Sequence, residues 1–138
     1  MAATFELDVA TPERSLVKVR AEEAQIPGKD GYMGILPDHA ALLSELGFGT
    51  LTFRTGGKTE TLAILGGYVQ IQNNVVRVLA DAGEPAHEID VTRAQEALRR
   101  AKQAMINPSI GIDIAQALSA VMRAEARIRA AEEAAKKS

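Results

Sequence analysis

Ten of the eleven glycines and all five aromatic residues of this 138-residue chain lie before position 85, and from Val91 to Ser138 only Gly111 remains. That split constrains the fold more than any motif does. Glycine, aromatic and β-branched residues favour strands and tight turns, whereas the alanine, arginine and glutamate of the tail favour helix. Charge divides at the same point. Residues 1–90 carry 7 basic and 13 acidic side chains (net −6), and residues 91–138 carry 9 and 5 (net +4). The formal total of −2 therefore conceals a dipolar chain, an acidic body with a basic arm that suits an acidic partner. A body of this kind would dock by one end and act with the other.

The first ninety residues read as strands. Phe5, Leu7 and Val9 alternate with polar residues until Thr11-Pro12, and a second alternating stretch opens at Leu16 through Val17 and Val19. Residues 50–55 and 58–62 flank Gly56-Gly57, and residues 68–71 and 75–79 flank Asn73-Asn74. Two residues that tolerate positive φ between alternating runs are a strong hairpin signal. Residues 34–40 read as a loop, and Ala40 to Leu46 as a short apolar run of either type. Glu84 to Asp90, with Pro85, reads as a polar linker.

Two helices fit the tail. The first starts near Asp90 or Thr92, since Thr92-Arg93-Ala94-Gln95 has capping-box spacing and Asp90 competes as the cap. Its stripe is Ala94, Ala97, Leu98, Ala101 and Met105, and Asn107-Pro108-Ser109 ends it. Asp113 caps the second, whose stripe is Ile114, Ala117, Leu118, Val121, Ala124 and Ile128. Both stripes are narrow and rich in alanine. At ~1.5–3 kcal/mol per buried large aliphatic side chain, so few of them make a marginal hairpin open to alternative conformations.

Composition excludes several classes of function. Without cysteine there is neither a disulfide framework nor thiolate chemistry, which fits a reducing compartment. No secretory signal or span of ~18 apolar residues is visible, so membrane association would come through a partner. His39 and His87 are too few and too far apart for a histidine metal site. Sparse basic and aromatic residues in the body argue against nucleic acid. His39 lacks a diagnostic nucleophile and orienting carboxylate, and an anchoring role in its loop fits it better. Nothing in the residues supports an enzyme.

One constellation stands out in the tail. Arg93 and Arg100 are seven residues apart on the first helix, and Arg123 and Arg127 are four apart on the second. In an antiparallel hairpin centred near Pro108–Ser109 these faces meet, and converging guanidinium forks suit phosphate oxygens. The competing reading is solvated helix surface with ordinary i, i+4 pairs such as Glu96–Arg100 and Glu125–Arg129.

The stretch Gly31-Tyr32-Met33-Gly34-Ile35-Leu36-Pro37-Asp38-His39-Ala40-Ala41-Leu42-Leu43 is the most specific element of the body. It is similar to the G-x-x-G-I-L-P-G-H-A-P-L-L of the ε subunit family of bacterial F-type ATP synthases, which the chain resembles almost end to end. Gly66-Gly67-Tyr68-Val69 and Val78-Leu79-Ala80-Asp81 match later strands, and Ile89-Asp90-Val91-Thr92-Arg93-Ala94 resembles the (I/L)-D-x-x-R-A nucleotide-binding motif. The sequence departs from the pattern in three places. Tyr32 stands where an acidic residue is common, and Asp38 and Ala41 replace glycine and proline.

The resemblance implies an α+β chain with a ten-stranded β-sandwich over residues 1–86 and an antiparallel two-helix hairpin over 87–138. It implies a non-catalytic rotor part of a proton-translocating synthase, on the cytoplasmic face of the bacterial plasma membrane. The partners are then the γ subunit and the c ring, and, with the tail extended, the α/β head, where the tail inhibits ATP hydrolysis. The implied nucleotide site is Glu84, Ile89, Asp90, Arg93, Ala94, Arg100, Arg123 and Arg127, with ATP as a regulatory ligand and no obligatory cofactor. The implied contact region with γ and the c ring holds Lys29, Asp30, Gly31, Tyr32 and His39. A rival from another class is a stand-alone ATP-sensing module acting through the hairpin.

Overall fold

A computed structural model describes residues 3–107, 111 and 113–136. Eight strands precede two helices: β1 (Phe5–Ala10), β2 (Ser15–Ala21), β3 (Glu23–Gly28), β4 (Gly31–Ile35), β5 (Leu42–Thr55), β6 (Lys58–Gln72), β7 (Val75–Ala80) and β8 (Gly83–Pro85). A 3-10 turn at Ala86–Glu88 leads to α1 (Val91–Ile106) and α2 (Ile114–Lys136). The strand order is β2-β1-β7-β6-β5-β3-β4, with β8 on the free edge of β6.

Alternation decides what is buried. Phe5, Leu7 and Val9 of β1 enter the core beside Val76 and Val78 of β7, and Leu51, Phe53, Leu62, Ile64, Val69 and Ile71 supply its middle. Their neighbours along each strand face outward, as a period of two requires. The two sequence-predicted hairpins form where expected. Gly56 and Gly57 take φ of 55° and 77°, and Asn73 and Asn74 take 53° and 62°, the paired positive angles of a type I′ turn.

The strand count differs from ten because β5 and β6 are single strands of 14 and 15 residues. Their pairing lapses opposite Gly47 and Gly66, between the Leu46–Gly67 and Phe48–Leu65 pairs. There β6 exchanges β8 for β7 as its outer neighbour. Counted on both sides of that bend, the two long strands restore ten segments of the sandwich. Gly67 is obligatory at the bend: its φ is 119°, and a Cβ there would lie 2.1 Å from the Leu79 carbonyl oxygen.

Other local readings need correction. Residues 34 and 35 belong to β4, which pairs with β3 across Lys29–Asp30, so the loop spans only residues 36–41. The ambiguous run after Ala40 becomes the start of β5, since Leu42 to Leu46 pair with β6. The linker from Glu84 holds β8 and the 3-10 turn. Asp90, not Thr92, caps α1, its Oδ1 accepting the Arg93 amide at 3.0 Å. Asp113 caps α2 through the Ala115 amide at 2.9 Å. The first helix ends at Ile106 with Asn107 as its cap, while Pro108 and Ser109 lie outside the described residues.

α2 is buried on two sides rather than along one stripe. Ala117, Val121 and Ala124 are buried, but so are Ala126 and Ala130, while Ile114 and Leu118 stay 46% and 47% exposed. The reason is that α2 packs on both α1 and the outer face of β5 and β6. A helix with neighbours on two sides needs small residues on both, and alanine supplies them.

Candidate functional site

Between α1, α2 and the β8 region lies a cleft of about 470 Å3. Arg93, Ala94, Ala97 and Arg100 line it from α1, and Ala120, Arg123, Ala124 and Arg127 from α2. Glu84, Glu88 and Asp90 close the end nearest the sandwich. The cleft exists because the facing helix positions are alanines, whose methyl groups leave the inter-helix space open beneath the arginine rim. Its volume falls in the ~300–1,000 Å3 range usual for small-molecule sites.

Seven of the eight residues expected in the nucleotide site line this cleft: Glu84, Asp90, Arg93, Ala94, Arg100, Arg123 and Arg127. Ile89 does not. It is half-buried behind the cap, and its amide donates to the Ala86 carbonyl at 3.1 Å. Glu88 was not anticipated. No spacing rule marks it, because its place depends on the 3-10 turn that follows β8.

Electrostatics divides the arginines. Arg127 donates through Nε to Glu84 Oε1 at 3.2 Å, and Arg123 donates to the Ser119 hydroxyl at 2.7 Å. Arg93, Arg100 and Arg123 form no ion pair among the described residues, though Arg100 is near enough to Glu96 to help lower its carboxyl. On the acidic side, Glu88 is held by Arg14 of the β1–β2 turn at 2.6 Å. That hydrogen bond lowers the Glu88 carboxyl below its ordinary pKa and raises the Arg14 guanidinium. Asp90 is occupied by the helix cap through one oxygen. The cleft thus offers three guanidinium groups without an ion pair facing acids already engaged, an arrangement that favours an anion with hydroxyl or amine groups at its other end.

The other expected set lies on the sandwich and is not one cluster. Lys29, Asp30 and Gly31 form the β3–β4 turn, with Lys29 Nζ 3.2 Å from Glu45 Oε2, an interaction that raises the lysine pKa. Tyr32 folds away from that turn, across Gly49, and its hydroxyl accepts the Thr50 amide at 3.0 Å. His39 is half-buried in the 36–41 loop, its Nδ1 2.8 Å from the Ala40 carbonyl oxygen. No group of three or more His, Cys, Asp or Glu with metal-site geometry occurs among the described residues. No helix among them is long and apolar enough to cross a membrane.

Two family models divide the chain between them. Residues 4–86 match the ATP synthase delta/epsilon chain β-sandwich domain, and residues 87–132 match its long α-helix domain. The chain belongs to the ATP synthase delta/epsilon chain family. The ATP synthase epsilon chain of Solibacter usitatus is 49% identical over 132 residues, covering 96% of this chain and 98% of that one. The epsilon chain of Desulfitobacterium hafniense is 43% identical over 131 residues, covering 95% and 98%. Among solved structures, a chain of the Euglena gracilis mitochondrial ATP synthase superposes with a TM-score of 0.79 at 26% identity, over 97% of this chain and 82% of that one. A chain from the central stalk and c ring of the Tetrahymena thermophila mitochondrial enzyme shares the fold, with a TM-score of 0.56 at 16% identity. In this delta/epsilon fold the cleft lies within the residues matched by the helical domain and the end of the sandwich domain.

Proposed function

We propose that this delta/epsilon chain is the epsilon-type rotor subunit of a bacterial proton-translocating F-type ATP synthase. It binds γ and the c ring through its sandwich at the cytoplasmic face of the membrane, has no catalytic site of its own, and couples ring rotation to the head. Its helical tail is the regulatory part. Docked on the sandwich, the tail is silent; extended, it meets the acidic surfaces of the α/β head and inhibits ATP hydrolysis. The net +4 of residues 91–138 supports that second contact.

The observation that carries the regulatory reading is the cleft of four arginines, which requires α1, α2 and β8 to be together. ATP would place its phosphates on Arg93, Arg100 and Arg123 and its hydroxyl or amine groups toward Glu84 and Asp90. A ligand held by three elements at once has high affinity only for the docked tail, and it shifts the equilibrium by that difference. The β3–β4 turn at Lys29–Gly31, together with Tyr32 and His39, belongs in this reading to the surface that meets γ and the c ring.

Removing residues 91–138 tests it. The truncated chain should still assemble with γ, and the complex should hydrolyse ATP faster than one carrying the full chain. Unchanged hydrolysis would remove the inhibitory role.

A further inference from the structure

The middle of β5 and β6 is buried on both faces. Leu51, Phe53, Leu62 and Ile64 enter the sandwich core. Thr50, Thr61 and Ala63 are also buried, at 5%, 7% and 0% exposure, but alternate with them and face outward. Thr50 pairs directly with Ala63, and Thr52 with Thr61, so these form one outer platform. α2 packs on β5 and β6 and buries Ala126 and Ala130 at 3% and 0% exposure.

Within this seam Thr50 is anomalous. Its hydroxyl oxygen is shut off from water and has no hydrogen-bond partner among the described residues. Other atoms of Thr50 border a hollow of about 350 Å3, lined also by Gln25, Tyr32 and Thr52 and, from α2, by Arg129 and Glu133, while the hydroxyl oxygen itself stays inaccessible. The neighbouring amide is satisfied, since Thr50 N–H donates to the Tyr32 hydroxyl. The side chain alone is left unpaired, on the platform of β5 and β6 against which α2 packs.

We propose that the buried Thr50 hydroxyl is a device that weakens the docking of α2 on the sandwich. It is dry and unpaired only while the helix covers it, and it regains water when the helix lifts. An unsatisfied buried hydroxyl opposes the state that buries it, here by about tenfold in the ratio of docked to lifted tail. The seam has little to offset this, because alanine methyl groups meeting threonines bury small apolar areas. The tail is thereby kept releasable. The inference deepens the inhibitory-tail reading and rests on it for its consequence in the complex, but not for its physical test.

The chain contains no cysteine, so one introduced thiol reports lifting cleanly. Ala130→Cys, at a fully buried position of the seam, is labelled by an alkylating reagent in the full-length chain with and without Thr50→Val. Valine keeps the shape, suits a strand and removes the hydroxyl. Labelling should slow about tenfold in the Thr50→Val background. Ala21→Cys, fully buried in the sandwich core, should label at the same rate in both backgrounds. Unchanged or faster labelling at position 130 would overturn the proposal, as would equal slowing at position 21, which would place the effect in the whole sandwich. In the assembled synthase, Thr50→Val should also raise ATP hydrolysis. Slower labelling at position 130 with unaltered hydrolysis would keep this proposal and sink the inhibitory reading alone.

Discussion

Arg127 of α2 reaches Glu84 of β8 with Nε 3.2 Å from Oε1, joining residues 43 apart in the chain across the seam between helix and sandwich. Both side chains are about one-third exposed, at 34% and 30%. The pair fixes one wall of the cleft and commits one of its four arginines. Arg93 and Arg100 on α1, and Arg123 on α2, form no ion pair among the described residues, although the Arg100 charge helps to lower the Glu96 carboxyl one turn away. A site with one arginine in an ion pair and three without one differs from a solvated helix face on which every arginine closes an i, i+4 pair.

ATP should therefore stabilise the full-length chain, and Arg93→Ala should abolish most of that effect. Ligand at a hundredfold excess over Kd contributes about 2.7 kcal/mol to the state that binds it. For a chain of this size that corresponds to a rise in Tm of roughly 9 °C, read in a thermal shift series with and without ATP. The Arg93 side chain makes no other ion pair among the described residues, so the unliganded Tm of the variant should stay close to that of the parent. A parent Tm that does not respond to millimolar ATP would reduce the cluster to helix surface.

Asp90→Ala should destabilise the tail by about 1 kcal/mol, the usual loss for an N-cap acceptor. The Asp90 carboxylate receives the Arg93 amide at 3.0 Å, and no other side chain caps α1. Asp90→Asn should retain the cap and most of the stability. A urea titration followed by helical circular dichroism separates the two, and equal midpoints for parent and alanine variant would show that Thr92 can take over.

Much of this was legible in the sequence, and the reasons differ by element. The β5–β6 and β6–β7 hairpins were visible because Gly56-Gly57 and Asn73-Asn74 carry their own conformational demand. The arginine faces were visible because helical spacing is local: Arg93 and Arg100, Arg123 and Arg127 needed only an antiparallel partner. What escaped depends on contacts between distant segments. The β3–β4 hairpin was hidden because Pro27, Gly28, Gly31 and Gly34 interrupt any alternating pattern, and its pairing is completed by β5. The exposure of Leu118 and the burial of Ala126 and Ala130 follow from α2 lying on the sandwich, which periodicity within the helix does not encode. Glu88 entered the cleft for the same kind of reason, through a turn set by β8 pairing with β6.

Tyr32→Phe should cost about 1 kcal/mol by leaving one amide without its acceptor. The β3–β5 ladder lapses between Gln25 and Gly28, where Pro27 has no N–H, and the Thr50 amide turns to the Tyr32 hydroxyl at 3.0 Å. The ring already packs across Gly49, so phenylalanine preserves the packing and isolates the hydrogen bond. Denaturant midpoints at constant slope measure the difference, and no change would mean that water takes the place of the hydroxyl.

Acid should loosen the anchor between Arg14 and Glu88. The hydrogen bond from Arg14 holds the Glu88 carboxyl below its ordinary value in the folded chain. A depressed acid contributes its stability above the unfolded carboxylate pKa and loses it as pH falls through the lower folded value. The contact should thus be intact at neutral pH, begin to weaken once pH falls below the ordinary glutamate range, and be lost below the lower folded value. Carbon-detected NMR titration of Glu88 should give a midpoint below that range in the parent and within it in Arg14→Gln. Coincident midpoints would show that the contact makes no difference to the folded state.

Asp38→Gly should stabilise the chain, against the usual expectation that glycine weakens a fold. Asp38 has φ of 63°, in the left-handed region, and its amide donates to Asn74 Oδ1 at 2.8 Å. The similar family motif carries glycine at this position, and the backbone angle gives the reason: a residue without Cβ adopts it freely. Aspartate tolerates this region better than most residues but still carries strain. Its side chain is exposed and makes no hydrogen bond or ion pair of its own among the described residues, so its removal forfeits little. Relief of strain competes with the greater entropy of unfolded glycine, ~0.5–1 kcal/mol. The left-handed strain is ~1–2 kcal/mol for an ordinary residue and smaller for aspartate, so the net gain should be only a few tenths of a kcal/mol. Asp38→Ala removes the same carboxylate but keeps Cβ, and it should lose stability instead. Urea midpoints for the three chains decide the matter: glycine above aspartate above alanine supports strain at this corner, and glycine at or below aspartate refutes it.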